Sequence, residues 1–162
     1  MNPTQINSLY KVSEISIRYK YRVPFRDRIP VRSSEMAYEV LKSAWDPNKI
    51  ELQEQFKVLL MDYRNNCLGL VDIGMGSINS CLVDTRLLFS SALKARASGI
   101  ILAHNHPSGE LSPSEADKKL TDNIWRGGKI LDIGVFDHLI ISPEGYYSFA
   151  DNGILPSKPM PI

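Results

Sequence analysis

The alternation of apolar and polar positions along the chain predicts several short strands. Residues 56–63 and 67–73 are typical of two strands joined by the turn at residues 64–66, and a bend at Gly74 and Gly76 precedes a strand at residues 78–83. The all-apolar run at residues 100–103 is typical of an interior strand covered on both faces. Two more strands are predicted at residues 138–141 and 146–149, and a charged edge strand at residues 15–21.

Apolar residues at helical spacing lie between these strands. The first predicted helix begins at Ser33 and Ser34, which are both suitable caps, and ends before Asp46 and Pro47. The second begins at Asp84 and ends at residues 98–99. Strands alternating with helices predict an α/β domain in which helices flank a mixed sheet.

The third predicted helix follows residue 112. Ser112 is favoured as its N-cap, with Pro113 as the first helical residue and Glu115 at the third position. The helix is expected to continue to about Arg126, with the glycines at 127 and 128 as its end. This assignment leaves Ser114 and Asp117 without a capping role.

The composition is that of a globular protein. A chain of 162 residues suits one domain, and 43% hydrophobic with 23% charged residues is ordinary for such a domain. Because no apolar run approaches the ~20 residues of a membrane span, and residues 1–10 lack the features of a secretory signal, a cytoplasmic location without a membrane partner is expected. Cys67 and Cys81 are expected to be reduced and packed.

The net charge of +1 conceals a basic segment at residues 11–32. This segment carries a charge of +5, which leaves −4 for the remainder. Such a basic stripe indicates either a nucleic-acid contact or a solvated strand and loop. Its basic members are Lys11, Arg18, Lys20, Arg22, Arg26, Arg28 and Arg32.

The candidate metal-binding side chains follow closely after the apolar run at residues 100–103. His104 and His106 are two positions apart, so an extended backbone directs both to one face. Asp117 is aligned at helical spacing with residues 120, 121 and 124, which places its carboxylate on the inward face. A buried carboxylate needs a partner, and a divalent cation such as zinc held by both histidines would provide one.

The spacing His104-x-His106, seven residues, Ser114, two residues, Asp117 resembles the metal signature of the JAMM (JAB1/MPN/Mov34) metalloenzyme family. The sequence is similar to that of the RadC branch of the family at residues 103–109, 113–114, 137–140 and 147–149. The resemblance implies a JAB/MPN-like (cytidine-deaminase-like) three-layer domain at residues 33–153. A basic extension at residues 1–32 precedes it, and a flexible proline-rich tail at residues 154–162 follows.

The resemblance also implies roles for single residues. His104, His106 and Asp117 would bind Zn²⁺ together with a water, and Ser114 would hold the oxyanion. A glutamate before the first long strand would move the proton; Glu54 is the first choice, Glu51 the second and Asp72 the third. His138 follows Asp137 in the family pattern but is not a ligand there, so a structural hydrogen-bonding role is expected.

Three functions follow as expectations. The first is a zinc metallopeptidase or isopeptidase whose substrate is a peptide or an isopeptide-linked protein. The second is a RadC-like accessory protein of DNA repair or mobile elements, which would bind nucleic acid through the basic stripe. The third is a non-catalytic scaffold stabilised by zinc. A zinc nucleobase deaminase is excluded because neither H-x-E nor P-C-x-x-C occurs.

Overall fold

The computed structural model describes residues 23–76 and 83–156 of the chain. Five strands form one sheet in the order β2-β1-β3-β4-β5. The predicted α/β fold with a mixed sheet is confirmed. The strands are β1 (Gln55–Met61), β2 (Cys67–Met75), β3 (Gly99–Asn105), β4 (Gly134–Ile141) and β5 (Tyr146–Ser148); the helices are a 3₁₀ turn (Phe25–Asp27), α1 (Ser34–Ser43), α2 (Thr85–Lys94) and α3 (Glu115–Ile130).

The strand β3 occupies the centre of the sheet. It pairs antiparallel with β1 and parallel with β4, while β1–β2 and β4–β5 are antiparallel pairs. A parallel pair requires a crossover connection, and α3 provides it between β3 and β4. The first turn of α3 therefore lies near the end of β3.

Helices cover both faces of the sheet. Alternate residues of a strand point to opposite faces, and the β1 residues divide accordingly between two buried clusters. Leu59 and Met61 pack with residues of α1, whereas Val58 and Leu60 pack with residues of α2 and α3. The sheet is thus the middle of three layers, and every residue of β3 is buried.

The prediction that α3 ends at Gly127 and Gly128 is wrong, because the helix continues through both glycines to Ile130. A Cβ atom added to Gly128 would lie 2.4 Å from the backbone oxygen of Ile133, and one at Gly127 would lie 2.7 Å from the ring of Phe89. Gly127 thus allows Phe89 of α2 to pack closely on the helix, and Gly128 allows the turn at Ile133 to approach it, so neither glycine ends the helix.

Other boundaries differ by a few residues. The predicted bend at Gly74 is wrong, since β2 extends to Met75, and α1 and α2 end at Ser43 and Lys94, before the predicted stops. The caps predicted at Ser33 and Asp84 are confirmed, since each side chain accepts backbone N–H bonds at the helix start. The strands predicted at residues 15–21 and 78–83 fall wholly or mostly outside the described residues, as does most of the tail.

The two cysteines have different outcomes. Cys67 packs half-buried against the α1 cluster, as expected, and is a free cysteine among the described residues. Burial raises the pKa of its thiol. Cys81 lies outside the described residues. None of the helices within residues 23–76 and 83–156 has the length and apolar character to cross a bilayer.

Candidate metal centre

The end of β3 brings the two predicted histidines together. His104 is the sixth residue of the strand and is only 1% exposed, and His106 follows directly after the strand ends. Their Nε2 atoms lie 3.0 Å apart. The extended backbone therefore directs both imidazoles to the same face, as the sequence predicted.

Asp117 reaches the same point from the first turn of α3. Its Oδ1 atom lies 3.3 Å from Nε2 of His104, and its Oδ2 atom lies 3.6 Å from Nε2 of His106. Together the three side chains form a group whose candidate ligand atoms all lie within 4.8 Å of one another. The structure thus brings the three predicted ligands to one place.

The predicted cap of α3 is wrong. The helix begins two residues later, with Ser114 as the N-cap and Asp117 at the third position of a capping box. The Ser114 hydroxyl accepts from the Asp117 N–H at 3.1 Å, and the Ser114 N–H donates to Asp117 Oδ2 at 2.7 Å. Ser112 instead donates through its N–H and hydroxyl to the Glu110 carboxylate.

The two oxygens of the Asp117 carboxylate have different contacts because of the capping box. Oδ2 accepts the N–H and the hydroxyl of Ser114, the latter at 2.6 Å. Oδ1 has no such partner among the described residues and faces His104. One carboxylate can therefore cap α3 and still direct an oxygen at a cation.

Both imidazoles are oriented by bonds at their other nitrogen. His106 Nδ1 donates to the carbonyl oxygen of Glu110 at 2.6 Å, so a neutral His106 has its lone pair on Nε2. His104 Nδ1 lies 2.8 Å from Nε2 of the buried His138. The predicted hydrogen-bonding role of His138 is confirmed. Metal-bound histidines are commonly oriented by such bonds.

The donor set fits a divalent cation. With His106 neutral, its lone pair faces the second imidazole and a carboxylate, and acceptors this close repel unless a positive charge lies between them. Zinc bound tetrahedrally at 2.0–2.2 Å holds its ligand atoms about 3.3–3.5 Å apart. The two Nε2 atoms are 3.0 Å apart and Asp117 Oδ1 lies 3.3 Å from His104 Nε2, so both separations are close to this value.

The electrostatics of the metal-free group also favour a positive charge between these three side chains. Burial by itself would raise the pKa of the Asp117 carboxyl, but when the imidazoles of His104 and His106 also carry a proton on Nε2, their hydrogen bonds to the carboxylate outweigh burial and hold that pKa far below its usual range. The hydrogen bond to Asp117 raises the pKa of His106. The carboxylate thus stays ionised and attracts either a proton onto an imidazole or a metal ion.

Glu54 is the predicted base that the structure places beside this group. Glu54 immediately precedes β1. Phe56, two residues after Glu54, pairs with His104. Burial raises the pKa of the Glu54 carboxyl; positive charge on the two imidazoles opposes this, and the charge of Asp117 adds to it. A half-buried carboxyl within electrostatic reach of all three ligands is suited to proton transfer.

The other two candidates for the base are placed differently. Glu51 is exposed in the turn before β1. Asp72 pairs with Lys57 across β1 and β2 and forms an ion pair with it. Because Lys57 alternates with Phe56 along the strand, Asp72 lies on the face of the sheet opposite His104.

The predicted oxyanion donor Ser114 lies at the edge of the group. Its single hydroxyl proton is directed to Asp117 Oδ2. A role toward a substrate oxygen would require this hydroxyl to rotate away from Asp117, and Ser114 is exposed enough to do so.

Sequence reasoning missed one buried residue that contacts this group. Thr121 donates its hydroxyl proton to the carbonyl oxygen of Asp117 and contacts His138 Nδ1, both at 2.6 Å. The only signal in the sequence was that Thr121 shares the inward face of the helix with Asp117.

The sequence resembles known proteins over most of its length. Residues 31–154 match the family model described as the RadC-like JAB domain. A UPF0758 protein of Flavobacterium johnsoniae is 48% identical over 101 residues, which cover 62% of this chain and 44% of the relative. The chain thus spans less than half the length of this curated relative. Because the family match covers more than half of the chain, the protein belongs to the RadC-like JAB domain family.

Proposed function

We propose that this domain is a zinc-dependent hydrolase of peptide or isopeptide bonds. The observation that carries the proposal is the convergence of two imidazoles and one ionised carboxylate, with Glu54 beside them. When bound by His104, His106 and Asp117, zinc would activate a water molecule and polarise the substrate carbonyl.

The residues of the chain have separate tasks in this proposal. Glu54 takes the proton of the attacking water and passes it to the leaving amine, and its raised pKa brings it nearer to the neutral pH at which both transfers are needed. Ser114 donates its hydroxyl to the carbonyl oxygen as that oxygen gains negative charge. The capping box keeps Asp117 in place throughout.

The experiment compares zinc-loaded wild-type protein with the Glu54→Gln and Glu51→Gln variants on peptide and isopeptide-linked libraries. The first substitution removes the proposed base, so turnover should fall by about 100-fold or more. The second removes an exposed charge three residues away and should leave turnover unchanged. Equal turnover by all three proteins would contradict the role of Glu54, and no turnover by any of them would contradict the proposed hydrolysis.

A zinc-stabilised scaffold makes the opposite prediction for the same proteins. If the domain is only a scaffold, zinc should raise the stability of the folded protein while no substrate is cleaved. Nucleic-acid binding through residues 11–32 remains a prediction, because residues 11–22 lie outside the described residues. Within the described part, Arg28 is already paired with Asp62 at 3.3 Å. Binding to duplex and single-stranded DNA should weaken steeply with salt if the stripe contacts phosphates.

A further inference from the structure

A buried chain of hydrogen bonds joins two of the proposed metal ligands from behind. It runs from Nδ1 of His104 to Nε2 of His138 at 2.8 Å and from Nδ1 of His138 to Oγ1 of Thr121 at 2.6 Å. It ends at the backbone oxygen of Asp117, 2.6 Å from Oγ1 of Thr121. The inference drawn from this chain rests on the proposed metal site.

Only one direction of this chain makes every contact a hydrogen bond. The carbonyl oxygen of Asp117 can only accept, so the single hydroxyl proton of Thr121 must be donated to it. The hydroxyl oxygen then accepts from His138, which places the proton of that imidazole on Nδ1. The Nε2 atom of His138 is left as an acceptor, and His104 must donate to it from Nδ1.

The surroundings prevent water from replacing any of these partners. Thr121 is 1% exposed and His138 is fully buried. The ring of His138 stacks on Phe149 at 4.7 Å and meets Phe56 edge-on at 5.6 Å between ring centroids. Apolar rings on both sides favour a neutral imidazole with one proton, whose position the hydroxyl of Thr121 then decides.

We propose that Thr121 and His138 are positioning residues that hold His104 in its Nδ1–H tautomer and thereby present the Nε2 lone pair to the metal. In the reverse direction, Thr121 would donate to His138, and His104 would carry its proton on Nε2. That proton would occupy the place of the metal. The Thr121 hydroxyl would also face the Asp117 carbonyl at 2.6 Å with no proton between the two oxygens.

The test replaces Thr121 by valine and by serine. Valine has nearly the same volume and helix propensity as threonine but has no hydroxyl. Serine retains the hydroxyl and serves as the matched control. Competition with a chelator measures zinc affinity, and ¹⁵N spectra of the imidazoles in metal-free protein report the tautomers. The protein contains only three histidines, of which His104 and His138 belong to this hydrogen-bond chain and His106 lies beside His104, so the spectra are simple to assign.

We expect Thr121→Val to weaken zinc binding by about 10- to 100-fold, as substitutions behind metal ligands commonly do. In the metal-free valine variant at pH 8, the population of His104 with its proton on Nε2 should rise. Thr121→Ser should retain the wild-type tautomer and most of the wild-type affinity. Circular dichroism of the metal-free proteins checks that both variants are folded.

Two results would overturn the inference. One is wild-type zinc affinity in a folded Thr121→Val variant. The other is an Nε2–H tautomer of His104 in metal-free wild-type protein at pH 8. Neither measurement requires catalysis, so failure of the proposed hydrolysis is distinguishable: wild-type protein would then bind zinc and show the Nδ1–H tautomer, yet cleave no substrate.

Discussion

Substitution of Asp117 separates its two roles, because capping depends on an oxygen at this position and metal binding depends on the charge. Asparagine keeps an oxygen that can accept the Ser114 N–H, which the carboxylate now accepts at 2.7 Å. Alanine removes both the oxygen and the charge. Ser114→Ala is the complementary control, since it removes the hydroxyl of the capping box and leaves the carboxylate intact.

The expected magnitudes follow from these contacts. Loss of an N-cap hydroxyl costs about 1 kcal/mol, so metal-free Ser114→Ala should unfold at a temperature about 2–4 °C lower than wild type. Zinc at 100 times its Kd should stabilise the folded wild-type protein by about 2.7 kcal/mol, or about 5–10 °C in Tm. Asp117→Asn should nearly lose this increase while its metal-free Tm stays near that of wild type.

Thermal unfolding followed by circular dichroism, with chelator and then with zinc, measures both effects in one set of samples. Asp117→Ala should show both a lower metal-free Tm and no response to zinc. Ser114→Ala should show the lower Tm but most of the zinc response. A full zinc response in Asp117→Asn would refute the reasoning, because the carboxylate charge would then be irrelevant to the site.

Two further predictions concern stability. Hydrogen bonds from the Asn66 backbone and side chain outweigh burial and lower the pKa of Asp62, so this group stabilises the fold above its unfolded pKa and loses that effect as the pH falls through the lower folded pKa. Asp62→Asn should therefore be about 1–3 kcal/mol less stable than wild type at pH 7 in urea unfolding, with a gap that closes in acid; a gap independent of pH would contradict this. Gly128→Ala should destabilise by about 1–3 kcal/mol, since its Cβ would lie 2.4 Å from a backbone oxygen, whereas Gly69→Ala has no atom within 4 Å and should change little.

The parts of the site that depend on local patterns could be predicted from the sequence. His104 and His106 follow an all-apolar strand, so both their convergence and the burial of His104 could be anticipated. The inward direction of Asp117 followed from its helical spacing to Ile124, which is fully buried. These inferences need only the periods of a strand and a helix.

The start of α3 could not be decided in this way. Ser112 and Ser114 are each followed three residues later by an acid, so both match the capping pattern. In the structure Ser112 bonds to Glu110 and Ser114 caps the helix, and the capping pattern alone does not distinguish these two outcomes.

Other features depend on contacts between distant segments. His104 and His138 are 34 residues apart in the sequence, and Thr121 and His138 are 17 apart. No local pattern marks such a chain of hydrogen bonds. Gly127 was misinterpreted for the same reason, because its neighbour Phe89 belongs to α2, whereas the neighbour of Gly128, Ile133, lies in the turn directly after α3.

The most direct test of the central claim is anomalous diffraction at the zinc absorption edge from crystals of the zinc-loaded protein. The account predicts a single peak within about 2.0–2.2 Å of His104 Nε2, His106 Nε2 and Asp117 Oδ1. A map with no peak among these three atoms, in crystals that contain the protein with all three side chains ordered, would contradict the assignment of a metal centre.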